Sequence, residues 1–241
     1  MKMINQYTSI TKYYDLWITS GYYDFDYLAN EALSIIGNGR EVLELGVGTG
    51  LLAEKYIEID PRCKFTGVDF TPSMLEIARK RLGNKAVLIE ANVVTMNLKR
   101  NFDAAISNGG VWGILDLGDR WEFGGHVPNI EPNRQGLINL ARHLRPGGLL
   151  LLHLQKPHED FEKSLPGEIV YSQFIEEEED TSQYHTFKKH YFFKKDGKLL
   201  AQQQLLFTCF KPEISQKMLS EAGFYLQGTS KGNSFAVYQK Q

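Results

Sequence analysis

The chain has 241 residues, enough for one large α/β domain or a core with an appendage, and its 42% hydrophobic, 23% charged composition supports a real buried core. A net charge of −2 gives no general attraction to nucleic acid or anionic lipid. Cys63 and Cys209 lack CxxC spacing, no apolar run reaches 18 residues, and the start lacks a signal-peptide core, so a cytoplasmic protein in a reducing compartment is expected. In chain order, residues 12–37 place Leu28, Ala32, Leu33 and Ile36 at helical spacing and predict one or two helices. After the break GNGR, EVLEL reads as a buried strand and LLAEKYIEI as a helix ending before Asp60-Pro61. KFTGVDF is a second strand. TPSMLEIARKRLG is a helix with Thr71 as its cap, Pro72 in its first turn and Gly83 at its end. AVLIEAN, FDAAISN and LLLLHLQ are further strands, the last entered by the turn RPGG after a helix carrying Leu137, Ile138, Leu140, Ala141 and Leu144. Strands alternating with helices imply parallel crossovers and a sheet covered on both faces.

Beyond Pro157 the rhythm changes. SQYHTFKKHYFF and LLAQQQLLFTCF flank KKDGK, whose Asp-Gly pair signals a hairpin. PEISQKMLSEAGF predicts a helix and SFAVYQK a final strand, while the acidic run Glu176–Asp180 reads as a solvated loop. The whole of 1–241 is expected to be one domain: a cap over 1–37, a core over 38–156, an antiparallel extension over 157–211, and a return to the core sheet over 212–241.

The stretch EVLELGVGTG sets Gly46, Gly48 and Gly50 directly behind the first strand. In an open α/β sheet ligands settle beyond the carboxyl ends of the strands, and glycine both permits positive φ and clears the ligand's path. A dinucleotide fold calls for G-x-G-x-x-G; here the spacing is G-x-G-x-G, with Glu44 two residues ahead of the first glycine. Asp69 ends the second strand, where a carboxylate can accept both hydroxyls of a ribose. Alone, such an acid is as readily a helix cap.

The pattern h-h-E-h-G-x-G-x-G resembles motif I of class I S-adenosylmethionine (SAM)-dependent methyltransferases. GVDFTPSMLEIARKRL is similar to the family's second motif, FDAAISN to its fourth, and ARHLRPGGLLLL to the helix, turn and fifth strand that follow. The resemblance implies a Rossmann-like, doubly wound seven-stranded α/β sheet with a helical cap and an antiparallel extension over the site. It implies SAM as cofactor, with S-adenosylhomocysteine as product. The methionyl part would pass over Gly46 and Gly48, with Asp69 on the ribose, Phe70 and Met74 against the adenine, and Asn108 beside the methyl group. Asn92, with Val93, stands where many relatives carry an aspartate to the adenine amino group. SNGGVW is not the D/N-P-P-Y/F motif of DNA N-methyltransferases.

TKYYDLW resembles the Y-D-L segment of small-molecule N-methyltransferases, including aminosugar dimethyltransferases and glycine N-methyltransferases. That resemblance assigns Tyr14 to the SAM carboxylate, with Tyr7 and Tyr13 as neighbours able to substitute. The stretch GGVWGILDLGDRWEFGGHVPNIEPN reads either as a mobile lid over the acceptor or as a surface loop with its tryptophans tucked into the core. On the first reading Trp112, Trp121 and Tyr22 meet the substrate, and His126, then His153, are the candidate bases. No metal constellation follows the fourth strand. The expected activity is methyl transfer to a nitrogen of a small organic acceptor, a secondary metabolite, by a monomer or homodimer without nucleic-acid or membrane partners. A small-molecule O-methyltransferase and a non-catalytic SAM-binding regulatory or assembly protein are the alternatives.

Overall fold

A computed structural model describes residues 6–241. Two helices, α1 (Thr11–Ile18) and α2 (Phe25–Ile36), precede β1 (Glu41–Leu45), α3 (Leu51–Ile59), β2 (Lys64–Asp69), α4 (Pro72–Leu82), β3 (Ala86–Glu90) and β4 (Phe102–Ser107). Then come β5 (Trp112–Asp116), β6 (Trp121–Gly125), α5 (Ile130–His143) and β7 (Leu144–Gln155). Four long or paired strands follow, β8 (Phe161–Leu165), β9 (Ile169–Asp180), β10 (Tyr184–Lys195) and β11 (Lys198–Phe210). The chain closes with α6 (Pro212–Glu221), β12 (Phe224–Thr229) and β13 (Phe235–Lys240). Local chemistry sets several of these limits. Asp24 caps α2 by accepting the Tyr27 amide at 3.0 Å, and Gly37, at φ 61°, ends it. Thr71 holds the cap position of α4 as expected, although its hydroxyl makes no capping bond; Pro72 opens the helix and Gly83 closes it.

The central sheet runs β3-β2-β1-β4-β7, all parallel, and is completed by β13 antiparallel on β7 and β12 on β13. Seven is the number of strands expected of the core, although the sequence alone predicts no strand at β12 (Phe224–Thr229). β7 then forks: Leu154 and Gln155, at its carboxyl end, pair with Ile114 and Leu115 of β5. From there β5-β6-β11-β10-β9-β8 forms a second, antiparallel half. Trp112, Leu137, Leu140 and Leu219 fill one face of the core sheet, and Leu28, Tyr56, Phe65 and Leu75 the other. A third apolar cluster fastens α1 to the antiparallel half, with Trp17 stacked on Tyr171 at 4.6 Å and Tyr13 on Phe193 at 5.2 Å. The cap thereby bridges the two halves over the carboxyl ends of β1 and β4.

Three sequence expectations are corrected. The supposed lid loop is the β5–β6 hairpin, registered from Trp112↔Gly125 to Asp116↔Trp121. Its glycines mark close backbone approach instead of mobility: a Cβ on Gly125 would stand 2.0 Å from the Val111 carbonyl oxygen, and one on Gly124 2.6 Å from that of Thr208. Glu176–Asp180 is the end of β9 and not a loop, with four of its acids engaged by side chains of neighbouring elements, as Glu176 is by His190 at 3.0 Å. Arg145–Gly148, expected as a turn before the strand, lie within β7, where the register jumps from Phe102↔Leu144 to Ala104↔Leu149. The Asp-Gly hairpin stands as expected, with Asp196 at φ 49° and Gly197 at φ 73°.

Candidate active site

The β1–α3 turn uses its three glycines for three different reasons. All have positive φ: 72° at Gly46, 54° at Gly48 and 83° at Gly50. Gly46 is needed because the β4–β5 turn crosses it, so that a Cβ would stand 2.7 Å from Gly110 Cα. Gly50 is the left-handed N-cap of α3, packed under Leu82. A Cβ on Gly48 would meet nothing within 4 Å, so only there does the missing side chain leave open space. The Gly48 amide donates to Asp69 Oδ2 at 2.9 Å and the Thr71 amide to Oδ1 at 2.8 Å. Burial pushes the Asp69 carboxyl above its usual range, and these amides pull the other way.

Asp15, in the YYDLW segment, fixes the cap to this turn, and it was not singled out by the sequence. It accepts from Thr49 Oγ1 at 2.6 Å and pairs with Arg81 at 2.6 Å, while Arg81 also reaches Glu54 at 2.9 Å and the Thr49 carbonyl at 2.9 Å. The pair is partly exposed, so Asp15→Asn should cost only about 1 kcal/mol. Thermal unfolding checks this, and an unchanged melting temperature would remove Asp15 as the fastener.

Two small adjoining cavities, about 40 and 20 Å³, lie beyond the strand ends and share Tyr14 and Gly46. The first is walled by Tyr7, Gly48, Asp69, Phe70, Met74 and His126. The second is walled by Glu44, Asn108, Tyr23 and Leu51. Among the described residues Glu44 Oε2 and Asn108 Oδ1 are buried without a hydrogen-bond partner. Burial, reinforced by the Asp69 charge, pushes the Glu44 carboxyl well above its usual range. Two orphaned acceptors in one cavity suit a group rich in N–H donors, such as an α-ammonium.

A methyltransferase-domain family matches residues 42–148, the span holding these turns and acceptors. These residues are a methyltransferase domain. The orphaned acceptors, the open face of Gly48 and the Asp69 carboxylate fit the methionyl and ribose parts of SAM. The malonyl-[acyl-carrier protein] O-methyltransferase of Bacillus anthracis is 28% identical over 148 residues, 58% of this chain and 46% of that protein. The demethylmenaquinone methyltransferase of Deinococcus radiodurans is 30% identical over 128 residues, 52% of this chain and 46% of that protein. The chain thus spans less than half the length of these two curated relatives. Among solved structures, the SAM-bound amino pentose methyltransferase CalS10 of Micromonospora echinaspora superposes with a TM-score of 0.70 at 18% identity, covering 95% of this chain and 97% of that one. Streptomyces venezuelae DesVI gives 0.71 at 17%, with the same coverage. These structures share the whole fold, antiparallel half included.

The remaining sequence-nominated residues scatter. Asn92 is exposed and spends its side-chain oxygen on the Val94 amide at 2.9 Å, and Val93 is buried in the core; neither lines the cavities. Trp112, 1% exposed, donates to Asn133 at 2.7 Å inside the core, whereas Trp121, 51% exposed, lies at the far end of the hairpin against α6 and β12. Tyr22 packs edge-on to Trp17 and Tyr23, outside both cavities. His153 is tucked behind the Tyr23 ring at 5.1 Å, and burial lowers it to about 4. His126 does line the first cavity. Its Nδ1 lies 3.3 Å from the Leu206 carbonyl, which can only accept, so Nε2 is the acceptor, 3.2 Å from the Tyr7 hydroxyl. Burial, with Lys189 nearby, lowers His126 to about 3.

If Asp69 meets the ribose, as the resemblance implies, Asp69→Asn, which keeps an acceptor but loses the charge, should weaken SAM about tenfold. Calorimetry showing undiminished affinity in the folded variant would take Asp69 out of the ribose site.

Proposed function

We propose that the protein is a SAM-dependent methyltransferase acting on a nitrogen of a small organic acceptor. The observation that carries this is the pair of orphaned acceptors, Glu44 and Asn108, meeting the Gly48–Asp69 turn beneath a cap and an antiparallel half. The family match and the shared fold support the transferase reading. The sugar N-methyltransferase from Streptoalloteichus, whose fold covers 95% of this chain at a TM-score of 0.69 and 18% identity, favours nitrogen.

The bound sulfonium supplies an activated methyl group, so the chain's main task is alignment. Glu44 and Asn108 would hold the amino end, Asp69 the ribose, and Phe70 and Met74 the base, while Tyr14 covers both cavities. The free volume is small, with Tyr14 walling both cavities and Tyr7 the first. A nitrogen acceptor must be deprotonated before it attacks. His126 stands where that nitrogen would arrive, but with a pKa of about 3 it holds a proton poorly. Its role is to orient the acceptor through Nε2 more than to carry its proton away.

The test is a mass-spectrometric screen of small amines and phenols with SAM. Methylated amines support the reading, and methylated phenols alone would move it to oxygen, the atom named for the Bacillus relative. SAM binding without turnover on any acceptor would favour a regulatory or assembly protein. His126→Ala should lower kcat about tenfold, roughly 1.4 kcal/mol, with SAM affinity intact across a pH series. Full activity at every pH would leave His126 a packing residue.

A further inference from the structure

Outside the SAM cavities, a larger chamber of about 630 Å³ opens between the end of the β5–β6 hairpin and the acidic end of β9–β10. Its floor is basic. Lys189, 6% exposed, and His158 line it, and both pack on the Phe207 ring, Lys189 Nζ at 4.3 Å from the centroid and the His158 ring at 5.5 Å. His126 packs on the same ring at 5.1 Å, from the side of the methyl cavity. One aromatic side chain therefore separates the chamber floor from the place where the methyl group would stand.

The floor is electrostatically incomplete. No carboxylate pairs with Lys189 among the described residues, although a buried ammonium ordinarily demands one. Its hydrogen-bond partner is His158 Nε2 at 3.2 Å, and that same nitrogen lies 3.0 Å from Gln155 Oε1. A carbonyl oxygen only accepts and an ammonium only donates, so one imidazole nitrogen cannot serve both. In its charged form Lys189 therefore has the Phe207 ring face but no hydrogen-bond acceptor among the described residues, at the lining of the chamber. Three of the acids at the mouth are engaged elsewhere: Asp180 by His185 at 2.8 Å and Lys211 at 3.2 Å, Glu179 by Tyr184 at 3.3 Å, and Glu178 by Lys188. Glu177 and Asp116 also line the chamber, without an ion pair to Lys189. Arg120 is held by Glu122 at 2.7 Å and Asp119 at 3.0 Å, so Lys189 is the cation that lacks its counter-ion.

We propose that Lys189 and His158 form an oxyanion subsite for the acceptor, so that the molecule methylated carries a carboxylate or a phosphate besides its methyl-accepting atom. This rests on the methyltransferase reading, and it narrows the acceptor class. The anion would sit on the floor of the chamber, and the rest of the molecule would pass Phe207 to reach the His126 side. Burial lowers the Lys189 ammonium to about 7, and a bound oxyanion would restore its charge.

The experiment titrates full-length protein with inorganic phosphate and, separately, acetate at constant ionic strength, following the His158 ring protons by NMR. SAM affinity is measured on the same samples. The expected result is a saturable shift with one or both probes, weakened at least about tenfold in Lys189→Met and retained within a few-fold in Lys189→Arg. Acetate alone would identify a carboxylate-bearing acceptor and phosphate alone a phosphorylated one. A response no different from sodium chloride for both probes, or equal affinity in Lys189→Met, overturns the subsite. If Lys189→Met fails to fold, His158→Gln is held to the same criterion. Loss of SAM binding in the wild type would strike the methyltransferase reading instead, so the two failures are separable.

Discussion

Gly48→Val is expected to reduce SAM affinity at least a hundredfold, about 2.7 kcal/mol, while the protein stays folded. Two effects combine. A β-branched residue at φ 54° is strained in the left-handed region, and its methyl groups would fill the open space over the turn. The protein itself presents nothing within 4 Å of a Cβ there, so the steric conflict falls on the ligand. Gly46→Val should behave differently. Its Cβ would collide with Gly110 Cα, so that variant should lose thermal stability first and binding as a consequence. Calorimetry and thermal unfolding on both variants separate the two roles. Normal SAM binding by folded Gly48→Val would mean that nothing occupies the space above that glycine.

This contrast marks where sequence reading succeeds and where it stops. Local patterns, the G-x-G-x-G turn, Asp69 at a strand end and Thr71-Pro72 opening a helix, predict the parallel core because each is decided within a few residues. The trio of glycines looked uniform, yet Gly46 answers to Gly110 and Gly50 to Leu82, partners that only the folded sheet brings near. The β5–β6 hairpin was misread for the same reason. Gly113 and Gly124 resemble flexible linkers until the strands that crowd them, β7 and β11, are in place, and Gly125 until Val111 and Trp112 face it across the hairpin. Asn92 shows a different limit, since its side-chain oxygen accepts from the Val94 amide of its own turn, a local bond that a family position does not announce. The Lys189–His158–His126 arrangement spans 63 positions of chain and carries no spacing signature, so no motif could have announced it.

The second large effect concerns Glu44 and should appear as proton release. In the free protein, burial and the neighbouring Asp69 charge raise the Glu44 carboxyl well above its ordinary range, so it holds its proton up to that raised pKa. An α-ammonium seated between Glu44 and Asn108 would favour the carboxylate and lower that pKa in the complex. The sign follows from linkage: below the raised pKa, binding must expel the proton, so affinity climbs with pH, by up to about tenfold per unit, and levels off once the free carboxyl has ionised. At higher pH the ligand's own amino group, ordinarily near ~8, loses its proton and affinity falls again. Glu44→Gln should abolish the rising limb, keep the falling one, and bind SAM more weakly by about 1.5–3 kcal/mol on the plateau. Calorimetry in two buffers of different ionisation enthalpy counts the protons directly. A wild-type protein that releases none on the acidic side, or a Glu44→Gln variant with the same pH slope, would place the amino end of the cofactor away from Glu44 and leave its orphaned oxygen without a ligand.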